Sequence, residues 1–128
     1  MKITHLDHLV LTVADIDATV RFYRHVLGFE VVTFKGDRKA LTFGQQKINL
    51  HPRGHEFEPK AKTPTPGSAD LCFISATPVD EIVVELNEHG IPIEEGPVLR
   101  TGAQGTILSV YIRDPDANLI EISNLVHQ

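Results

Sequence analysis

Four polar side chains stand among apolar neighbours at places where a soluble strand would favour Val or Ile. They are His8 in Leu6-Asp7-His8-Leu9-Val10, Asn49 in Ile48-Asn49-Leu50, Asp70 in Ala69-Asp70-Leu71, and Glu121 in Ile120-Glu121-Ile122. Each can give an electron pair to a cation. A carboxylate or imidazole on an apolar strand is costly to bury unless it is paired or bound to a metal. His8, Asp70 and Glu121 form a set of one imidazole and two carboxylates, with Asn49 as a weaker fourth group. Hard oxygen donors with one nitrogen suit Fe(II), Ni(II), Mn(II) or Zn(II), and argue against copper or a structural zinc. Such a set leaves coordination positions open for water or substrate. Taken singly, each residue has a plainer explanation: a satisfied core histidine, a strand-start cap, a polar strand residue, a strand-end glutamate facing water. His51 lies two residues beyond Asn49 and so shares its face, and could replace Asn49 or Asp70 in the set.

What joins the four is the periodicity around them. Ile3 to Val13 alternates as a strand, and Asp15 stands as an N-cap before Ile16, Val20, Tyr23 and Leu27. That spacing predicts a helix over 16–26, with Gly28 as its C-terminal stop. Strands are expected at 29–34, 39–43 and 47–51, the first two joined by a turn at Lys35-Gly36-Asp37. Residues 52–68 then break the pattern, with Pro52, Pro59, Pro64, Pro66, Gly54 and Gly67. A connection of that length is usually functional or mobile. The first pattern then returns: a strand at 69–75, a helix at 78–89 stopped by Gly90, a short strand at 91–95, a glycine-bearing loop at 96–105, and strands at 106–113 and 119–124.

A shift of 62 residues lays His8 on Asp70 and Gly28 on Gly90, and a shift of 72 lays Asn49 on Glu121. The chain therefore reads as an internal repeat. Its modules are about 1–52 and 68–128, joined by a linker of about 53–67, within one domain spanning 1–128. Each module has the order βαβββ, an α+β arrangement. Two such modules packed face to face would bring the four positions to one point. Asp114-Pro115-Asp116 is turn chemistry leading into the strand of Glu121.

The totals bound the rest. A chain of 128 residues with 41% hydrophobic and 23% charged residues is an ordinary globular domain. The formal charge of -5 offers no basic run for phosphates, so no nucleic-acid partner is expected. No apolar stretch approaches a membrane span. Met1-Lys2-Ile3-Thr4-His5 runs straight into strand-like sequence, so no secretory leader is expected. The lone Cys72 excludes an intramolecular disulfide and reads as an inert core thiol, which fits the cytoplasm.

With these residues in place, the chain resembles the vicinal oxygen chelate superfamily. That superfamily includes glyoxalase I, extradiol dioxygenases, methylmalonyl-CoA epimerase, and fosfomycin- and bleomycin-resistance proteins. The carriers are residues 6–13 around His8, residues 18–31 with Phe22-Tyr23 and Leu27-Gly28-Phe29, and Asp114-Pro115-Asp116 leading to Ile120-Glu121-Ile122. Within the superfamily the chain is most similar to small glyoxalase-domain proteins. The resemblance implies paired βαβββ modules whose sheets curl into an incomplete mixed β-barrel with outer helices, around one divalent metal. It places His8 on the family's first ligand and Glu121 on its last. Asp70 stands where many members have His, and Asn49 where glyoxalase I carries a ligand Glu. It also implies a homodimer in which the modules pair within one chain or across two.

The implied chemistry is that of a lactoylglutathione lyase-type enzyme. The metal chelates two adjacent oxygens of a small substrate, and a carboxylate, Glu121, moves a proton between neighbouring carbons. Tyr111 or Ser123 would support that carboxylate. Asn49, His51, Tyr111 and Arg113 would meet the substrate, with the 52–68 stretch and the 96–105 loop as rims. Arg100, Lys60 and Lys62 are further candidates for an anionic group. Two alternatives stand: an extradiol-type dioxygenase, with His51 as acid–base, and a non-enzymatic binder of the resistance-protein kind.

Overall fold

The computed structural model describes residues 1–127 and divides into two compact units, residues 1–68 and 69–128. The first contains β1 (His8–Val13), α1 (Ile16–His25), β2 (Glu30–Phe34), β3 (Arg38–Phe43) and β4 (Gln46–Pro52). The second contains β5 (Asp70–Ile74), α2 (Val79–Glu88), β6 (Glu95–Gly102), β7 (Gly105–Arg113) and β8 (Leu119–Leu125). Each is a βαβββ module of the α+β class. Each has an open four-stranded mixed sheet, ordered β1-β4-β3-β2 and β5-β8-β7-β6, and neither sheet closes into a barrel. In both, the first and last strands are parallel neighbours and the other pairs are antiparallel.

The repeat extends to the register. His8 pairs with Lys47 and Val10 with Asn49 in the first unit, while Asp70 pairs with Leu119 and Cys72 with Glu121 in the second. These are the pairs that the shifts of 62 and 72 bring into correspondence. The ten-residue difference between the shifts is taken up before the last strand of the second unit.

One face of each sheet is covered by its helix. In the first unit α1 packs on β2, β3 and β4, and Leu11, Val13, Leu41, Ile48, Leu50 and Tyr23 are buried. In the second, α2 packs on β7 and β8, and Val110, Ile112, Ile120, Ile122, Ile82 and Leu86 are buried. Each such side chain contributes about 1.5–3 kcal/mol on leaving water. The alternate residues of the same strands form the other face, which carries Val10 and Val32 in the first unit and Ile74 in the second, all exposed. That uncovered face bears the polar positions.

The helices start and stop as their sequences dictate, with one exception. Asp15 caps α1, its carboxylate accepting from the Ala18 N–H at 3.1 Å. Gly90, with φ +68, ends α2 in a Schellman turn, in which Ile91 N–H returns to the Leu86 carbonyl at 2.9 Å. The exception is the start of α2, where Pro78 has no side chain to offer. Asn124, from β8, fills the role: its Oδ1 accepts from Val79 N–H at 2.8 Å, and its amide donates to the Ser75 and Thr77 carbonyls.

Three expectations are corrected. Residues 3–7 are not strand, and β1 begins at His8. The short strand expected at 91–95 and the loop at 96–105 are instead a coil followed by the β6–β7 hairpin, turned at residues 102–105. Gly96-Pro97 concealed the strand, because these residues punctuate sequence. Here they form a bulge, where the register slips by one between Glu95 and Val98. Gly96, at φ +108, lets the Ser109 backbone carbonyl approach so closely that a Cβ would collide with it. Third, Cys72 is exposed on the uncovered face and is not a core thiol.

The turn at residues 114–118 joins β7 to β8. Asp114 accepts from the backbone N–H groups of Asp116 and Asn118 and from the Asn118 amide, at 2.8–2.9 Å. Ala117 sits inside it in the left-handed region, at φ 65. That conformation costs a residue with a Cβ about 1–2 kcal/mol. Ala117→Gly is therefore expected to raise stability by about 0.5–1 kcal/mol after the entropy cost of glycine in the unfolded chain. Chemical denaturation would show it as a higher midpoint at unchanged slope. A lower midpoint would mean that the alanine methyl packs more than the strain costs.

Candidate functional site

In the first unit, His8 opens β1 with its side chain about half exposed, and its Nδ1 lies 2.8 Å from the Asp7 carboxylate. In the neutral ring this makes Nδ1 the donor and leaves the Nε2 lone pair for a cation. A carboxylate behind a histidine is the usual arrangement for a metal ligand. The His8 contact holds the Asp7 carboxyl below its ordinary range. Asp7 was not singled out from sequence, although its place beside a candidate ligand was a usable signal.

Two residues further along the face, Asn49 lies opposite Val10 and Ala40. Its Oδ1 is buried without a hydrogen-bond partner, an unusual state for a buried acceptor. His51 follows on the same face, edge-on to Phe57 at 5.1 Å, and the Arg38 guanidinium lies 3.6 Å over that Phe57 ring. The stretch after β4 thus folds back through Phe57 onto its own unit. Burial pushes the His51 imidazole below its ordinary value, the Arg38 charge adds to this, and Glu56 opposes it. Because folding lowers that pKa, the unfolded chain binds the proton more readily. Stability is lost as pH falls from about 6.5 toward the lowered value. A proton NMR titration is expected to place the His51 midpoint below that of a model imidazole, and Arg38→Gln to move it upward. A midpoint unmoved by Arg38→Gln would remove the arginine as a cause.

In the second unit, Asp70, Cys72 and Glu121 share the uncovered face, with Cys72 directly across from Glu121. Beneath the carboxylate stand two serines. Ser109 Oγ donates to Glu121 Oε2 at 2.6 Å and lies 2.6 Å from Ser123 Oγ, which is 3.4 Å from Cys72 Sγ. Both serines are fully buried. Ser109 was not among the residues read as supporting Glu121, whereas Ser123 was. Partial burial pushes the Cys72 thiol up, its bond to Ser123 opposes this, and the Glu121 and Asp70 charges add to it.

A cavity of about 520 Å³ opens over this face. Cys72, Glu121, Tyr111 and Arg100 line it, with Ile74 and Ile107 as apolar wall and the β6–β7 turn at its rim. The rim is therefore part of a hairpin. Tyr111 Oη accepts from Arg100 Nε at 3.1 Å, and Arg100 also holds Glu95 at 2.9 Å and the Leu99 carbonyl at 3.2 Å. Loss of water pushes the Tyr111 phenol up, Arg100 pulls it down, and the Glu121 carboxylate raises it further. Arg113 is held by Glu94 through two parallel bonds of 3.0 Å and also donates to the Ala117 carbonyl. Lys60 pairs with Glu58 at 3.2 Å. Among the described residues, no three His, Cys, Asp or Glu side chains gather as a metal cluster.

Taken singly, two side chains are of the kinds that divalent ions take as donors. His8 has one nitrogen backed by a carboxylate, and Glu121 has one oxygen anchored by a serine. A mixed βαβββ sheet in each half, with a carboxylate on the uncovered face of the second half's last strand, defines a class. Residues 5–122 match the model of the Glyoxalase/Bleomycin resistance protein/Dioxygenase superfamily, and the chain belongs to that family.

It is 66% identical over 98% of its length to the "Virulence protein STM3117" of Salmonella typhimurium, covering 88% of that protein. The crystal structure of that relative superposes with a TM-score of 0.97, over 98% of this chain and 100% of the other. It is 56% identical to the "Glyoxalase domain-containing protein RDO1" of Mycosarcoma maydis, over 97% of this chain and 70% of that one. It is also similar to the crystal structure of lactoylglutathione lyase from Agrobacterium tumefaciens, with 26% identity, a TM-score of 0.73 and coverage of 97% and 96%. No helix of the described residues is long and apolar enough to cross a membrane.

Proposed function

We propose that this chain is a metal-dependent enzyme of the glyoxalase type, a lyase or isomerase that moves a proton between adjacent carbons of a small, oxygen-chelating substrate. The observation that supports it most is Glu121, a carboxylate anchored through one oxygen at the wall of a cavity large enough for a small molecule. Similarity to a lactoylglutathione lyase structure points the same way. The proposed metal donors are His8, Asp70 and Glu121. Bound there, a divalent Fe, Ni, Mn or Zn would supply Lewis-acid charge to two neighbouring substrate oxygens.

The remaining work falls to the chain's own groups. Glu121 takes the proton from one carbon and returns it to the next. Ser109 keeps its carboxylate aimed while this happens. The Ile74 and Ile107 side chains give the cavity an apolar wall for the substrate's carbon frame. Tyr111, Asn49 and His51 are the proposed substrate contacts. Arg113 reaches a substrate only by leaving Glu94. A homodimer in the cytoplasm is the proposed state. The apolar wall favours a second reading, a binder that sequesters its ligand without turnover.

Elemental analysis of the purified protein and of His8→Ala tests the first reading. About one divalent ion per chain, lost in the variant, is expected, with turnover in a hemithioacetal or an oxygen-uptake assay separating lyase from dioxygenase. A native protein that holds no metal and gains no activity from Fe(II), Ni(II), Mn(II) or Zn(II) would leave the binder.

A further inference from the structure

The two serines beneath Glu121 pose a question that the proposed chemistry does not answer. Strands β7 and β8 are otherwise apolar where buried: Ile107, Val110, Ile112, Ile120 and Ile122. Two fully buried hydroxyls among them are costly unless bonded. The distances give the bonding a direction. A serine hydroxyl has one proton to donate. Ser109 spends its proton on Glu121 Oε2 at 2.6 Å. The 2.6 Å contact between the serines must then be filled by the proton of Ser123. With that proton committed, Cys72 is left as the donor in its 3.4 Å contact with Ser123, and the thiol also interacts with Glu121 itself. All three donors point one way, from the exposed thiol through two buried hydroxyls to the carboxylate.

We infer that Ser109 and Ser123 are positioning residues for Glu121, the middle links of a one-way chain Cys72→Ser123→Ser109→Glu121. The chain engages Oε2, and Oε1 is the atom assigned to a ligand in the cavity, beside Cys72 and Tyr111, which also interact with Glu121. Its assignment of ligand contact to Oε1 rests on the proposed function; the chain itself does not. The sheet register makes the chain possible, because Ser109 pairs with Ser123 while Cys72 and Tyr111 flank Glu121 on either side. Each donor is polarised by the bond it accepts, so the last bond is stronger than an isolated serine could make. A looser arrangement, in which the serines satisfy only one another, would leave the carboxylate free to swing.

The single cysteine makes the chain readable, since the protein has one S–H oscillator. Infrared spectroscopy of the whole protein should show one S–H stretching band, at the lower frequency of a donating thiol. Ser123→Ala is expected to move it toward a free thiol. Ser109→Ala, which touches the chain two links away, is expected to move it in the same direction by a smaller amount. A band that ignores Ser109→Ala in a folded protein would overturn the chain. If that variant fails to fold, Glu121→Leu, which removes the acceptor at the far end, puts the same question, and an unmoved band there overturns it equally.

Cobalt(II) titration reads the positioning. Ser109→Ala should weaken Co(II) binding about tenfold or more, with Ser109→Thr retaining most of the native affinity. Equal affinity in Ser109→Ala would overturn the positioning role. Native protein that does not bind Co(II) would sink the metal reading and likewise overturn the assignment of Oε1, while the infrared band would still decide the chain.

Discussion

Glu121→Gln is expected to lower turnover by about 10²–10⁴-fold, the range for removing a general base, and to release the bound metal. The substitution is informative because it is nearly isosteric. The Gln side-chain oxygen can still accept the Ser109 hydroxyl, whose 2.6 Å bond anchors the native carboxylate. The fold should therefore persist, with an unchanged circular dichroism spectrum and thermal midpoint. Loss of activity then reports the missing negative charge and proton-accepting oxygen, not a collapsed strand. Steady-state kinetics on metal-loaded protein, with metal counted per chain in the same samples, makes the comparison. Native turnover and native metal content in Glu121→Gln would remove this residue from both of its proposed roles.

The largest effect on stability is expected some distance from the carboxylate, at Asn118. Its side chain is almost fully buried and joins two segments, its own turn and the approach to β5. The amide donates to Asp114 Oδ2 at 2.8 Å, and Oδ1 accepts from the Ala69 N–H at 2.8 Å, just before β5 begins. Asn118→Ala deletes both bonds and leaves the buried Asp114 carboxylate and the part-buried Ala69 N–H each short of one partner. With about 1–3 kcal/mol for each unsatisfied group, a loss of about 3 kcal/mol is expected. Urea denaturation should show it as a lower midpoint at constant slope. Asn118→Asp adds a second carboxylate beside the buried Asp114, so its penalty should shrink as pH falls and one of the two is protonated. A loss below about 1 kcal/mol in Asn118→Ala would mean that water replaces the amide at little cost.

Asn118 also shows what the sequence could and could not carry. Asp114-Pro115-Asp116 was legible as a turn because proline and aspartate act locally. That Asn118 closes it against Ala69, 49 residues away, was not legible, since the partner lies at the distant start of β5. The same division holds elsewhere. The shifts of 62 and 72 made the repeat legible, and the structure shows that the first and last strands pair at matching positions in both sheets. β6 was hidden, because Gly96 and Pro97 signal a break and only the partner strand shows that the break is a bulge. Cys72 was read as core because its neighbours are apolar, but alternation places it on the uncovered face. The arginines were free cations in sequence. In the structure Glu95 holds Arg100 and Glu94 holds Arg113, and no local pattern announces pairings of that kind.

The position of β8 has a bearing on biosynthesis. Of the four strands of its sheet it is the last to leave the ribosome, yet it lies between β5 and β7, and its Asn124 completes the start of α2. Until residues 119–125 emerge, β5 has no lateral neighbour to pair with and α2 lacks its cap. The second unit therefore cannot mature progressively during translation and must assemble in one late event. The first unit has its corresponding central strand, β4, in place by residue 52. The second half thus begins to emerge with all four strands of the first already available to pair.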